Sequence, residues 1–241
     1  MYDKMFKSDN EKLSKLLDQV KSHEIQLPDF QRGWVWEDSR IRALLASLTK
    51  GFPIGAIMLL EAGGDYKFKC KNIEGSGDEK REPDLMILDG QQRMTSTFLA
   101  MRSKNPVNTM TDQNKPIKRY YYLNMKTALD PDVDRYDSII AVDENKQIKE
   151  NIGRDIVLDL STREKEFENK MIPFNMPLKK SFLSSRPIPI KKNPPYIIRY
   201  QYGTLSLYTD NIIHKSNNKT HQKKGCRILF DPSVVFHSRT I

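Results

Sequence analysis

Asp89, Gly90, Gln91, Gln92 and Arg93 directly follow the apolar run "LMIL", and "MTSTFLAM" follows them. A short aliphatic run reads as a buried strand and the next stretch as a helix, so five polar or flexible residues fall at the handover. The first N–H groups of a helix have no intrahelical partners, and the aligned peptide dipoles add positive potential there. Together they make an anion site. Gly90 permits a tight turn and close approach of a ligand to the backbone. Arg93, in the first turn, can grip phosphate oxygens with its forked donors, and Thr95 and Ser96 bring hydroxyls nearby. Asp89 repels phosphate directly. It fits as a cap for the helix amides, as an orienter of Arg93, or as a ligand for Mg²⁺ bridging to phosphate. Gln91 or Gln92 can orient a water or read a base edge. A capped turn with a solvated first turn accounts for the same residues and stays open on them alone.

A second Gln-Arg pair, Gln31 and Arg32, lies in "LPDFQRGWVW". Trp34 and Trp36 are the only tryptophans of the chain, and both stand within four residues of Arg32. At alternating positions they can face one way as a stacking wall for a base, an interaction worth roughly 1–3 kcal/mol per base. The alternative is that one or both anchor the helix that follows to the core.

The elements that must position these residues are legible from periodicity. "SDNEKLSKLLDQVKS" reads as a helix, with Ser8 and Glu11 as a capping box and Leu13, Leu16, Leu17 and Val20 as its apolar stripe. "EDSRIRALLASLTKG" reads as a second helix, capped by Asp38 or Ser39, buried through Ile41, Leu44, Leu45 and Leu48, and ended by Gly51. "PIGAIMLLE" is expected to be a buried strand and "DYKFKCKNI" a second one. "EGSGDEKREPD" and "KNPVNTMTDQNKPIK" are expected to be loops. "RYYYLNM" suits a strand, "SIIAVDENKQIKE" a hairpin turning at Asp143 to Asn145, and "STREKEFEN" a helix start with Ser161 and Glu164 as a second capping box.

The chain has 241 residues, 38% of them hydrophobic, enough for one sizeable core. No apolar run approaches the ~18 residues of a membrane span, and the opening residues lack the apolar core of a signal peptide. Cys70 and Cys226 stand alone, so neither a disulfide framework nor a cysteine zinc site is expected, and a cytoplasmic setting is. The net charge of +9 is unevenly placed: residues 178–241 hold eight Lys and four Arg against only Asp210 and Asp231. Prolines cluster there and helical periodicity is lost. The organisation expected is therefore a domain over 1–177 and a basic, Pro-containing tail over 178–241. That tail reads as a poorly ordered extension, a nucleic-acid arm working by counterion release, or the remnant of a disrupted domain.

The two Gln-Arg elements, in this order with a helix and a strand between them, resemble the DGQQR-motif domain of the ParB/sulfiredoxin-like superfamily, found in the GmrS half of GmrSD-type modification-dependent restriction enzymes. The resemblance covers about residues 8–102 closely and 103–177 loosely, and does not extend into the tail. It implies an α/β (α+β) fold, a mixed small sheet with flanking helices, that binds and hydrolyses a nucleoside triphosphate with Mg²⁺. It implies Asp89, Gln91, Gln92 and Arg93 as catalytic residues, Asp89 also as metal ligand, and Gln31, Arg32, Trp36, Gly90 and Thr95 as nucleotide-binding residues. Trp34 stands where Tyr or Phe is commoner in the family. The partners implied are DNA, modified or not, a nuclease subunit or domain, and a homo-oligomeric copy, with no membrane. Of His23, His214, His221 and His237, the last three lie in the tail without a nuclease metal motif, so DNA cleavage by this chain alone is not expected. The function expected is gating of DNA cleavage in a restriction or phage-defence system. The alternatives are a non-catalytic DNA-binding or sensor module and an inactive, truncated family member.

Overall fold

The computed structural model describes residues 7–63 and 68–176, together with the strands at 196–201, 204–209 and 236–240. Three helices form its centre. Helix α1 (Leu13–Lys21) buries Leu13, Leu16, Leu17 and Val20, and α2 (Asp38–Thr49) buries Ile41, Leu44, Leu45 and Leu48, as their 3.6-residue spacing requires. Helix α3 (Gln91–Arg102) differs: every residue from Met94 to Ala100 is buried. A helix buried all round sits inside a core rather than on it.

A mixed sheet lies on this core. Introduced in chain order, its strands are β1 (Lys7–Glu11), β2 (Ile25–Pro28), β3 (Ile57–Glu61), β4 (Cys70–Lys71) and β5 (Leu85–Asp89), joined by Phe236–Thr240 from the far end of the chain. Strand β5 is central, parallel to β2 and antiparallel to β3; β4 extends the edge beyond β2, and 236–240 runs parallel to β3 and antiparallel to β1. A second sheet is built on the nine-residue β7 (Pro116–Asn124). Its first half pairs with β6 (Val107–Met110), and its second half with β8 (Ile139–Val142) on one side and β11 (Met171–Pro173) on the other. Strands β9 (Gln147–Glu150) and β10 (Asp155–Asp159) pair with each other, as do β12 (Tyr196–Gln201) and β13 (Thr204–Thr209). Short helices α4 (Met125–Ala128) and α5 (Arg163–Glu168) and a 3-10 turn at Asn151–Gly153 complete the described elements. The expected α/β class, with small sheets and flanking helices, is the one formed.

Several local expectations are corrected. Ser8 and Glu11 stand in β1, and α1 begins after Lys12, without a side-chain cap. Glu37, not Asp38 or Ser39, occupies the N-cap of α2. The stretch expected as a loop at 104–118 holds β6, whose Val107 and Thr109 are buried while Asn108 is exposed, a strand alternation too short to stand out among Asn, Pro and Thr. Asp143 to Asn145 do form a turn, yet the flanking strands part: β8 pairs with β7, and β9 with β10. At α5 the cap is Thr162, which accepts from the Lys165 N–H, one residue beyond the expected Ser161. The expected extent of the basic tail falls largely outside the described residues.

Helix α2 is tied to β7 by a polar contact at its first turn. Tyr121 Oη donates to Asp38 Oδ1 at 2.9 Å. Burial pushes the Asp38 carboxyl above its ordinary value, against the lowering effects of the Tyr121 hydrogen bond, Arg119 and Arg42. A carboxyl raised on folding holds more protons in the native state, so stability falls as pH rises from about 3.9 through the raised native value. Urea unfolding followed across that interval is expected to show a shallower fall for Asp38→Asn than for the wild type. Parallel curves would refute the assignment.

Candidate functional site

Because β2 and β5 run parallel while β3 runs opposite, the end of β2, the end of β5 and the start of β3 meet at one edge of the sheet. Three connections therefore converge there: residues 29–36 after β2, residues 52–56 before β3, and the turn from β5 into α3. This edge carries both Gln-Arg pairs.

Gly90 is the N-cap of α3 and adopts φ +88°, a left-handed conformation that glycine takes without steric cost. A Cβ here would come within 2.3 Å of Ile57 Cδ1, so the close packing of β3 on the turn also demands glycine. With no side chain at the cap, no side-chain hydrogen bond closes the first turn. The amides of Gln91, Gln92 and Arg93 are the orphan donors of this helix start. Asp89 is thus not the cap. It ends β5 with its side chain 71% exposed, and Oδ2 lies 3.2 Å from Arg93 Nη2. Asp89 is thus paired with Arg93, the contact that mutual orientation of the two side chains requires. Arg93 is 22% exposed and donates through Nη1 to the Ile54 carbonyl at 2.9 Å, which fastens the 52–56 connection to α3.

The glutamines bind main chain. Gln31 Nε2 donates to the carbonyls of Ile87 (2.6 Å) and Leu88 (3.2 Å), on β5. In return Gln91 Nε2, on α3, donates to the Arg32 carbonyl at 2.7 Å. Gln92 uses both ends of its amide, accepting from the Val35 N–H at 3.0 Å and donating to the Gly33 carbonyl at 3.1 Å. A primary amide suits this because it carries donor and acceptor together. The Lys71 ammonium adds hydrogen bonds to the Gln31 and Asp29 carbonyls from β4. The loop 29–36 is accordingly clasped to α3 and β4 through its backbone and to β5 through the Gln31 side chain, while Phe30, Arg32 and Val35 remain exposed. Arg32 is exposed, and its guanidinium has no partner among the described residues.

The tryptophans act as anchors. Trp34 and Trp36 are half-buried against the core, and Trp34 Nε1 donates to Ser96 Oγ at 2.8 Å. The Trp36 carbonyl accepts from Thr109 Oγ1 at 2.7 Å, and Glu37 bridges to Met110, so β6 supports the far end of the loop. The exposed aromatic of this loop is instead Phe30, edge-on to Phe68 with ring centroids 5.9 Å apart. Thr95 is 1% exposed, one turn inside α3, and its hydroxyl oxygen has no hydrogen-bond partner. Gln31, Arg32, Gly90, Gln91, Gln92, Arg93 and Asp89 are thus brought together, whereas Thr95 and the indoles lie behind them. The residue the sequence reading passed over is Gly55, at φ +95° against the Arg93 guanidinium. A glycine just ahead of a buried strand was its one signal.

A mixed α/β domain whose strand-end glycine opens a buried helix, with two Gln-Arg elements stitched across the opening, defines a DGQQR-motif domain. The chain matches the model of the GmrSD restriction endonuclease N-terminal domain over residues 13–225 and belongs to that family. The match runs past residue 177, where the sequence resemblance was expected to end. The chain is also 30% identical over 225 residues to an uncharacterized protein of Methanocaldococcus jannaschii, a match covering 89% of this chain and 35% of that protein. The chain therefore spans about a third of the length of that relative. Among the described residues no helix is long and apolar enough to cross a membrane.

The clasp makes a local prediction. Gln92→Ala removes the acceptor of the Val35 N–H, and native-state hydrogen exchange at Val35 should speed up while the amides of α3 from Met94 onward keep their protection. A lost hydrogen bond of this kind costs about 0.5–1.5 kcal/mol. Unchanged exchange at Val35 would show that the amide does not hold the loop.

Proposed function

We propose that this domain binds a nucleoside triphosphate at the start of α3 and hydrolyses it slowly, and that this turnover gates DNA cleavage by a nuclease domain outside the chain, within a restriction or phage-defence system. The observation that carries the reading is an exposed Arg32, its carbonyl bonded to Gln91, beside a helix start that has no side-chain cap and bears the Asp89–Arg93 pair. Membership of the GmrSD N-terminal domain family supports the restriction context.

Phosphoryl transfer asks a protein mainly for positioning and for stabilisation of charge on the transferred group. The amides of Gln91 to Arg93 and the helix dipole offer fixed donors to phosphate oxygens. Arg32, on the loop clasped to this helix start, adds a second cation to the site. Arg93, seated on the Ile54 carbonyl, holds the Asp89 carboxylate toward the opening and adds positive charge beneath it. Gln91 and Gln92 keep the two walls at a fixed spacing, which is their contribution to catalysis here. Mg²⁺ commonly takes one or two carboxylates, with phosphate oxygens and waters completing its shell. No group of three or more His, Cys, Asp and Glu gathers among the described residues. Asp89 alone, exposed at the opening, fits a Mg²⁺ that arrives with the triphosphate and neutralises its charge.

A second reading, a DNA-binding module without turnover, draws on the concentration of positive charge in residues 178–241. It expects DNA affinity that falls steeply with salt and disappears when those residues are removed.

The test is phosphate release from each of four nucleoside triphosphates with Mg²⁺, with and without modified DNA. Arg93→Ala and Asp89→Ala are each expected to lower kcat by about 10²–10³, the usual effect of losing one charge-stabilising group, with thermal unfolding still cooperative. Normal turnover in both variants would sink the hydrolytic reading.

A further inference from the structure

Gly55 occupies a position that only glycine fills without moving the site. Its φ of +95° is one that L side chains rarely adopt, and a Cβ built there would stand 2.2 Å from Arg93 Nη1 and 3.2 Å from Cζ. The atoms it would strike are the far end of one flexible side chain, not backbone. The same guanidinium makes the 2.9 Å bond to the carbonyl of the preceding residue, Ile54, and the 3.2 Å contact to Asp89 Oδ2. Its Nη2 also lies 3.3 Å from where a Cβ on Gly90 would be. Two glycines on different elements, 52–56 and the start of α3, thus leave the space that one arginine fills.

We propose that Gly55 is a positioning residue of this site. Its missing side chain makes the seat in which Arg93 docks on the Ile54 carbonyl, and the docked guanidinium fixes the Asp89 carboxylate. The 52–56 connection is then the third wall of the site, acting on Asp89 through Arg93 without touching a ligand. This rests on the nucleotide-hydrolysing reading for its consequence in turnover, but the docking itself is a property of the folded chain.

The experiment compares Gly55→Ala with Gly51→Ala. Gly51 also has a left-handed φ, +69°, but a Cβ there meets nothing within 4 Å, so it carries the backbone strain without the collision. The first readout is the Arg93 side-chain N–H resonances in ¹⁵N-labelled protein, assigned by their loss in Arg93→Lys. In the wild type and Gly51→Ala, the Nη protons of the seated guanidinium, bonded to the Ile54 carbonyl and to Asp89, should exchange slowly with solvent. In Gly55→Ala they should exchange about tenfold faster, as those of a side chain released from a protecting bond do. Slow exchange in Gly55→Ala overturns the proposal. The second readout is nucleotide turnover: kcat falls about tenfold in Gly55→Ala, with KM within about twofold and Gly51→Ala unaffected, because positioning acts on the reacting geometry rather than on uniform binding. A KM change with kcat intact overturns the positioning role. If the wild type does not hydrolyse nucleotides, the functional reading fails, while the exchange measurement still decides the seat. Should Gly55→Ala fail to fold, Gly55→Ala/Arg93→Lys must fold, since the slimmer lysine vacates the seat; failure of both places the need for glycine in the backbone alone and overturns the proposal.

Discussion

The reciprocal amide clasp between the loop 29–36 and the start of α3 is the constraint on which the site depends. Loops carry unpaired backbone groups, and a loop pressed against a core must satisfy them. Here Gln91 and Gln92 of the helix do so, while Gln31 of the loop bonds in return to carbonyls of β5, and each of the three bonds to main chain rather than to another side chain. Main-chain pairing of this kind fixes the loop irrespective of the side chains it displays. Arg32 and Phe30 can therefore be presented outward on a backbone held from behind, with Trp34 and Trp36 pinned to Ser96 and Thr109 on either side.

The helix that receives the clasp is itself immobilised by burial. Met94, Phe98, Leu99 and Ala100 pack within the main core, alongside Ile87 of β5 and the stripes of α1 and α2. Of the polar side chains inside α3, Thr97 returns its hydroxyl to the Arg93 carbonyl at 2.8 Å, Ser96 accepts from the Trp34 indole, and Thr95 has no partner. The polar first turn and the apolar body of α3 divide the work: the body holds position, and the first turn exposes donors. Phosphate-facing helix starts need both, since preorganised dipoles stabilise charge only if they do not relax.

Much of this was legible in the amino-acid order. The stripes of α1 and α2, the buried strands β3 and β5, and the helix after Gly90 followed from apolar spacing, and every stripe residue named is buried. The meeting of the two Gln-Arg pairs was legible only through family likeness, because residues 31 and 91 are brought together by strand order, which no local pattern encodes. The use of the glutamines was not legible. A glutamine that reads a base and one that grips a carbonyl are the same letter, and the difference lies in which backbone stands opposite. Gly55 escaped for a similar reason: its neighbour is 38 positions away in the chain. The capping boxes misled because Ser-x-x-Glu is common chemistry, and at Ser8 the strand pairing of β1 won over the helix start.

The sheet order has a consequence in time. All three walls of the site come from residues 29–93, whereas β3, which leads out of the third wall, is flanked by Phe236–Thr240. At about 5–20 residues per second, translation delivers that last strand roughly 7–30 s after Asp89. During that interval the β3 edge must wait with unpaired amides and carbonyls beside a nearly assembled site. A nascent chain of this protein thus exposes a pairing edge, the kind of template that invites a wrong partner, for far longer than a hairpin needs to close.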